Sequence, residues 1–390
     1  MSKWEWKKLK DICEKGSSNI KQSDLKDLTG DYPIFGASGY IQNVDFYQRD
    51  RDYIGIIKDG SGVGRTMLLP AFSSVIGTLQ YILPKEGNDI KFINYALQNI
   101  DFSKSVQGAA IPHIYFKDYG ETEILVPPLS EQKRIVKFLD EEFSKIETLK
   151  TNAETNLKNA KELFETTLEK ELNPLSRHSE RSEESSADLP SGWELKALGD
   201  VCEKISDGSH NPPKGTAANE YKMLSSKNIF NDSLNFDDPR FLTKEEFDLE
   251  NKRTNVKKGD ILLTIVGTIG RCCVFLEDEP VVFQRSVAVL KPNVSLVYSR
   301  FLMYGIIALN IEKLGRGAAQ KGVYLKQLSN ISIPLPPLSV QKEIVARLDK
   351  LSENVKRLEA NYKQIIANCN ELKKSILKKT FEGDSRSSRE

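Results

Sequence analysis

Residues 126–136 read VPPLSEQKRIV and residues 335–345 read LPPLSVQKEIV, so the chain repeats one motif at a distance of 209 positions. A second landmark is repeated as well, because residues 4–15 read WEWKKLKDICEK and residues 193–204 read WELKALGDVCEK. A duplication of this length predicts two similar lobes, each closed by the same element. The landmarks agree while the residues between them differ, as expected of one frame that carries two different readers.

The composition favours two globular domains with connecting segments. The chain has 390 residues, more than one core usually organises, and 39% of them are hydrophobic. The longest apolar run, residues 261–269, is much shorter than the roughly 20 residues that cross a bilayer, and the N-terminus has no signal-peptide core. We therefore expect a cytoplasmic protein that does not bind a membrane.

The cysteines and the net charge argue against two kinds of site. The five cysteines lack Cys-x-x-Cys spacing and only three histidines accompany them, so we predict no metal site. Cys13 and Cys202 lie at equivalent repeat positions and are expected to be small buried side chains. The net charge of +1 weighs against nucleic-acid binding unless acidic residues occupy surfaces that face protein partners.

Each copy of the PPLS motif leads into a long amphipathic helix. The prolines keep the chain extended, and Ser130 or Ser339 is expected to cap the helix. A helix of this kind could fold back on its own lobe, but the length and narrowness of its apolar face favour pairing with the other helix. The predicted heptad positions are Ile135, Leu139, Ile146, Leu149, Ala153, Ala160 and Leu163 in the first helix, and Ile344, Leu348, Leu351, Val355, Leu358, Tyr362, Ile365, Cys369, Leu372 and Ile376 in the second.

The segments before the helices predict lobes of mixed α and β structure. We expect strands at residues 53–57, 75–83, 260–264 and 281–290, and helices at residues 91–99 and 298–310. Residues 173–190 are polar and lack aromatic side chains, which predicts a flexible linker. The predicted fold class is α+β, with two pseudo-repeated mixed α/β domains joined by two long antiparallel coiled-coil helices.

Two further pairs of matched segments are candidates for contact with a ligand. Residues 60–65 (GSGVGR) and 267–271 (GTIGR) lack the spacing of a nucleotide-binding loop, so they favour tight turns between strands, although Arg65 and Arg271 could each reach a phosphate. Residues 108–117 (GAAIPHIYFK) match residues 317–326 (GAAQKGVYLK). Their small residues allow a close approach to a surface, and a plain loop is the alternative interpretation.

No active site is evident. Residues 211–214 (NPPK) are similar to the Asn-Pro-Pro-aromatic motif of amino-methyltransferases, but Lys214 replaces the aromatic residue that would stack on a flipped base. No carboxylate pair suited to a nuclease metal is evident either. We therefore expect no catalysis and no cofactor in this chain.

The repeated motifs resemble the specificity subunit of type I restriction-modification systems. The resemblance rests on the Trp-x-x-x-x-Leu-x-Asp opening, on Gly-Asp-Ile-Leu followed by Gly-Thr-Ile-Gly-Arg, and on the closing Pro-Pro-Leu-Ser-x-Gln-Lys-x-Ile-Val. Residues 207–214 and 32–39 also resemble two alternative beginnings of a target-recognition domain in that family.

The resemblance implies a non-catalytic reader of double-stranded DNA, with each lobe recognising one half of an asymmetric bipartite site. It also implies that the helices dock two adenine-methylating subunits, and that restriction and translocase subunits join them. S-adenosylmethionine, ATP and Mg²⁺ are then expected on the partner subunits only. The alternatives are a structural coiled-coil scaffold and the recognition subunit of a related methyltransferase system without a type I nuclease.

The same resemblance implies domain boundaries and site residues. We expect target-recognition domains at residues 1–129 and 191–338, spacer helices at residues 130–172 and 339–382, a linker at 173–190 and a tail at 383–390. The residues expected to contact DNA are Lys58, Arg65, His113, Lys214, Arg271, Arg316, Gln320 and Lys321. The residues expected to contact partner subunits are Gln132, Ile135, Gln341, Ile344 and Leu348.

Overall fold

The structure is a computed structural model that describes residues 4–108, 111–173, 189–314 and 322–382. The chain divides into two compact units, Met1–Thr155 with Tyr362–Glu390 and Asn156–Asn361. Each unit therefore contains one lobe and parts of both long helices. The predicted linker and tail lie almost entirely outside the described residues.

The first lobe is built from short strands that form three sheets. A four-stranded antiparallel sheet has the order β2-β8-β5-β6, a three-stranded sheet has the order β4-β3-β7, and β1 pairs with β9. The elements are β1 Glu5–Lys8, α1 Leu9–Ile12, β2 Cys13–Ser17, β3 Tyr32–Gly36, β4 Gly39–Val44, β5 Tyr53–Ile57, β6 Thr66–Leu69, β7 Ser74–Val75, β8 Leu79–Pro84, α2 Ile90–Gln98, α3 Phe116–Tyr119 and β9 Glu123–Val126.

Helix α2 closes the core of the first lobe. Asp89 caps it by accepting hydrogen bonds from the backbone N–H groups of Lys91 and Phe92 at 2.9 and 3.0 Å. Its apolar face, which includes Phe92 and Leu97, packs with Ile54 from the central strand β5. Strand β5 is buried along its whole length, which explains why its sequence is continuously apolar.

The second lobe repeats this frame and enlarges it. The sheet β11-β19-β16-β17 has the same order as its counterpart in the first lobe, and β10 pairs with β20 as β1 pairs with β9. The elements are β10 Glu194–Ala197, α5 Leu198–Val201, β11 Cys202–Asp207, β12 Lys222–Leu224, β13 Ile229–Phe230, β14 Ser233–Leu234, β15 Arg240–Phe241, α6 Lys244–Thr254, β16 Ile261–Thr264, β17 Cys272–Val274, β18 Val281–Phe283, β19 Val287–Pro292, α7 Ser299–Ala308, α8 Leu325–Ser329 and β20 Ser332–Leu335.

Two of the predicted strands are each divided into two. The stretch predicted at residues 75–83 is the end of β7 followed by β8, and the stretch at 281–290 is β18 followed by β19. In both lobes the first piece joins the three-stranded sheet and the second piece joins the four-stranded sheet. Both pieces are buried, so the apolar pattern runs through the break and does not reveal it.

The long helices are α4 Leu129–Leu172 and α9 Leu338–Glu382. In the first unit, Leu139 of α4 shares a core with Phe381 of α9, and Lys373 forms a 2.6 Å ion pair with Glu147. In the second unit, Leu168 shares a core with Leu348, and Arg347 forms a 2.7 Å ion pair with Glu171. The helices are therefore antiparallel within each unit, which confirms the predicted fold class.

The predicted heptad face is only partly correct. Leu139, Ile146, Ala153 and Ala160 are buried in α4, as are Leu348, Val355 and Cys369 in α9. Five of the predicted positions are exposed instead, and they are Leu149, Leu163, Leu358, Ile365 and Leu372. The helices also pack against their lobes, as the rings of Phe143 and Tyr95 do at 5.4 Å, so the buried face is turned toward the lobe.

The two serines predicted to be N-cap residues do not occupy the N-cap positions. The helices begin at Leu129 and Leu338, one residue before Ser130 and Ser339. The carbonyl of Pro128 accepts the Gln132 N–H at 3.0 Å and so begins the helix. The serines therefore lie inside the first turn, where they do not occupy the cap position.

Candidate nucleic-acid interface

The glycine-rich turn of the first lobe is a tight connection between β5 and β6. The N–H of Ile57 donates to the carbonyl of Arg65, and the N–H of Gly64 donates to the carbonyl of Ile57, both at 2.9 Å. Gly64 has a φ of +88°, a conformation that glycine adopts readily. The turn thus has the structural role expected of it, and the Arg65 side chain at its end is exposed.

The second matched segment of the first lobe lies directly against this turn. The N–H of Gly60 donates to the carbonyl of Pro112 at 2.9 Å, and the N–H of Ile114 donates to the carbonyl of Lys58 at 3.0 Å. His113 is held in the same segment by paired backbone hydrogen bonds with Gln107, both at 2.8 Å. The structure therefore brings Lys58, Arg65 and His113 into one group of loops. We call residues 58–65 with 107–108 and 111–117 the first loop cluster.

The first loop cluster contains basic and aromatic side chains that the sequence analysis did not select. They are Tyr115 and Lys117, which line a cavity of about 260 Å³ together with the predicted Lys58 and with Lys15 of β2. The Lys117 ammonium lies 5.4 Å from the centre of the Tyr115 ring. The signal that could have identified Tyr115 and Lys117 is a Tyr-x-Lys pattern that both repeats share. The second repeat has it as Tyr324 and Lys326.

The second lobe places its matched segments in the same way. The turn after β16 is closed by hydrogen bonds from the N–H groups of Gly270 and Arg271 to Thr264, both at 2.9 Å. The N–H of Val323 donates to the carbonyl of Ile265 at 2.9 Å, so the end of the second matched segment again adjoins the glycine turn. The Arg271 guanidinium lies 5.2 Å from the centre of the Phe230 ring. Arg316, Gln320 and Lys321 lie outside the described residues.

Lys214 lies on a separate exposed loop that begins at a buried carboxylate. Asp207 accepts a hydrogen bond from His210 Nε2 at 2.7 Å and forms an ion pair with Arg253. Burial opposes ionisation of Asp207, but the hydrogen bonds from Arg253 and His210 outweigh it and hold the pKa of this carboxyl below its usual value. Arg253 Nε also donates to the Asp207 carbonyl at 2.8 Å, so the start of the loop is firmly held.

The five residues expected to contact partner subunits are buried inside the lobes. Gln132 and Gln341 are 1% and 0% exposed. Ile135, Ile344 and Leu348 belong to the lobe cores. Their assignment to a partner surface is therefore corrected, because the side chains hold each helix against its own lobe and have no free surface.

Within the described ranges, His, Cys, Asp and Glu side chains form no group of three or more that could hold a metal ion. Cys13 and Cys202 are buried, as predicted, and burial raises the pKa of each thiol to about 12. Within residues 4–108, 111–173, 189–314 and 322–382, no helix combines the length and the apolar character needed to cross a membrane.

Comparison with known proteins agrees with the repeated architecture. A family model of the type I restriction modification DNA specificity domain matches residues 1–159 and again residues 190–367. The chain is 26% identical over 294 residues to the type I restriction enzyme EcoBI specificity subunit of Escherichia coli, a match that covers 72% of this chain and 62% of that subunit. It is 25% identical over 383 residues to the MjaVIII specificity subunit of Methanocaldococcus jannaschii, covering 91% of this chain and 88% of that one.

Solved structures share the fold. The HsdS subunit of Thermoanaerobacter tengcongensis superposes with a TM-score of 0.54 at 22% identity, and the match covers 98% of this chain and 97% of that one. A chain of a type I R-M system, solved to describe its complex assembly and conformational transition, superposes with a TM-score of 0.72 at 22% identity over 98% of both chains.

Proposed function

Because the chain belongs to the type I restriction modification DNA specificity family, we propose that it is the non-catalytic, DNA-reading subunit of a type I restriction-modification complex. Each lobe reads one half of a bipartite site in double-stranded DNA. The two halves differ in sequence, since the lobes share a frame but carry different residues between their landmarks. The whole target is therefore asymmetric.

One observation carries this proposal. In both lobes the glycine-arginine turn adjoins the second matched segment, through Gly60 with Pro112 in the first lobe and Ile265 with Val323 in the second. The two lobes thus present equivalent loops with different side chains. Arginine and lysine at such loops position a protein on phosphates, while other side chains beside them read base edges.

In this proposal the partner subunits supply the chemistry of the complex. We assign adenine methylation to two docked methyltransferase subunits and cleavage to restriction and translocase subunits. S-adenosylmethionine, ATP and Mg²⁺ belong to those subunits. A complex that acts on the bacterial or archaeal genome works in the cytoplasm, and we place this chain there.

The exposed apolar residues of the long helices are the better candidates for the docking surface. Leu149 of α4 and Leu358 of α9 occupy equivalent repeat positions, and both are exposed. Leu163 and Leu372 form a second equivalent pair, also exposed. Because the two helices repeat these exposed leucines at equivalent positions, we assign to them the docking of two identical subunits.

The test is to co-express the full chain with its cognate methyltransferase subunit and to sequence the methylated adenines of the host DNA. We expect one asymmetric motif in two parts with a fixed unspecified spacer. The methyltransferase subunit alone is the control and is expected to leave no such motif. A palindromic motif, or methylation by this chain without a partner, would overturn the proposal.

A further inference from the structure

The ribbon formed by β3 and β4 is a hairpin of the first lobe, and its tip lies beside the first loop cluster. Gly36 pairs with Gly39, so Ala37 and Ser38 form the tip. Nη2 of Arg65 donates to the carbonyl of Ala37 at 3.5 Å. An arginine from the glycine turn therefore lies against the tip of the ribbon.

The ribbon has a bulge that decides which side chains face outward. Its register shifts by one residue between Ile34 and Phe35, and Gly39 at the tip has a φ of +105°. A bulge of this kind bends the strand and increases its twist. Gln42 then faces inward, where it donates to the carbonyls of Leu25 and Leu28, both at 2.8 Å.

Tyr40 and Asn43 share the outer face because of this bulge. In a regular strand, residues three positions apart face opposite sides. Here the Tyr40 hydroxyl lies 3.2 Å from Oδ1 of Asn43, and both residues are exposed. Tyr40 is 61% exposed, although its ring packs edge-on against Phe35 at 6.2 Å.

We propose that the β3–β4 ribbon enters a groove of the DNA at one half-site, and that Tyr40 and Asn43 contact base edges there. This rests on the proposed function and adds the residues that set specificity in the first lobe. A two-stranded ribbon fits the major groove of B-form DNA, and an asparagine amide offers a donor and an acceptor to a base. The hydroxyl of Tyr40 orients that amide.

Arg65 connects this reading element to the phosphates. Its guanidinium has five N–H donors, and the carbonyl of Ala37 takes one of them. The other donors can bind a phosphate, so one side chain fixes the ribbon tip and the DNA backbone together. In the second lobe the corresponding sheet has the order β15-β12-β18, and β15 pairs with two residues of β12. The corresponding strands of the two lobes therefore differ in length and in side chains, which agrees with unlike half-sites.

The test uses the full chain assembled with its methyltransferase subunit. Initial methylation rates are measured on duplexes that contain the natural site and on duplexes with each specified base pair replaced in turn. Asn43→Ala is expected to reduce discrimination about 5- to 100-fold at one or two positions of one half-site. Discrimination in the other half-site is expected to stay unchanged.

Two further variants separate reading from folding. Tyr40→Phe keeps the ring against Phe35 but removes the hydroxyl, so it should relax the same positions as Asn43→Ala by a smaller factor. Trp6→Ala is the control, because Trp6 is 52% exposed and lies on β1, which pairs with β9 in a sheet separate from the ribbon. The control should leave the motif unchanged.

The outcomes distinguish a failure of the ribbon proposal from a failure of the proposed function. Suppose that the wild-type complex methylates a bipartite motif, but that Asn43→Ala and Tyr40→Phe leave the selectivity at every position unchanged. The ribbon proposal is then wrong, and the proposed function stands. If both half-sites relax equally, the ribbon acts on the whole assembly and the proposal also fails. If the wild-type complex has no bipartite motif, both fail.

Discussion

Gln341 accepts a hydrogen bond from the backbone N–H of Tyr298 at 2.8 Å. Its amide also donates to the carbonyls of Leu296 and Pro336 at 3.0 and 2.8 Å. Gln132 in the first repeat accepts the N–H of Asp89 at 2.7 Å in the same manner. One buried glutamine therefore joins the first turn of each long helix to the start of the helix that closes its lobe.

We expect Gln341→Leu to destabilise the second unit strongly. The substitution leaves the N–H of Tyr298 and two carbonyls without partners, and each unpaired buried group costs about 1–3 kcal/mol. The free energy of unfolding should fall by at least about 2 kcal/mol. Urea denaturation followed by circular dichroism measures it, with exposed Lys342→Ala as the control. An unchanged midpoint for Gln341→Leu would show that the hydrogen bonds do not hold the helix.

The long helices provide a second prediction, which separates docking from folding. Leu149→Asp and Leu358→Asp change exposed residues at equivalent positions. If each leucine is buried by a methyltransferase subunit, losing it removes about 1.5–3 kcal/mol of binding free energy, or roughly a 10- to 100-fold change in affinity. Isothermal titration with the methyltransferase subunit measures this, and the melting temperature should stay unchanged.

Two further variants serve as controls for the docking measurement. Thr151→Asp adds a charge to an exposed polar position of α4 that lies two residues from Leu149, on the other side of the helix, and should leave affinity unchanged. Ile344→Asp places a charge in the core of the second unit and should unfold it before docking can be measured. Normal affinity in both leucine variants would place the docking surface elsewhere.

The repeat predicts the frame of this protein well and predicts individual side chains poorly. The strand at Tyr53–Ile57 and the two long helices follow from patterns that extend over several residues. The direction in which Gln132 points does not, because it depends on where Asp89 lies in the folded lobe. Leu149 also has the spacing of a buried residue, yet the packing of Phe143 against Tyr95 turns the helix and leaves Leu149 outside.

The arginine of the second glycine turn gives a third prediction. Arg271→Ala in the assembled enzyme should weaken DNA binding about 10-fold, because a hydrogen bond to a charged group is lost. The slope of log affinity against log salt concentration should decrease by about 1, and the methylated motif should not change. Fluorescence anisotropy at several salt concentrations measures both effects.

Two controls test that interpretation. Arg271→Lys keeps the charge and should retain most of the salt dependence. Lys258→Ala removes a charge at the opposite end of β16 and should leave the slope unchanged. Because Arg271 also packs on Phe230, the melting temperature of each variant is needed. If Arg271→Ala lowers that temperature and keeps the wild-type salt slope, the turn is purely structural.

Asp207 gives a prediction about pH. Its pKa is lowered in the folded state, so the carboxylate contributes stability above its unfolded pKa of about 3.9, and this contribution is lost as the pH falls through the folded value. At pH 7, Asp207→Asn should lower the free energy of unfolding by about 1–3 kcal/mol, since the charged hydrogen bonds to Arg253 and His210 are replaced by neutral ones. The difference in free energy of unfolding between wild type and variant should stay constant down to about pH 4 and shrink below it.

The measurement uses a background in which Trp4 and Trp6 are replaced with Phe. Trp193 is then the only tryptophan, so its fluorescence in urea reports on the second unit. A difference that stays constant down to pH 3 would show that the Asp207 carboxylate does not stabilise the fold through its charge.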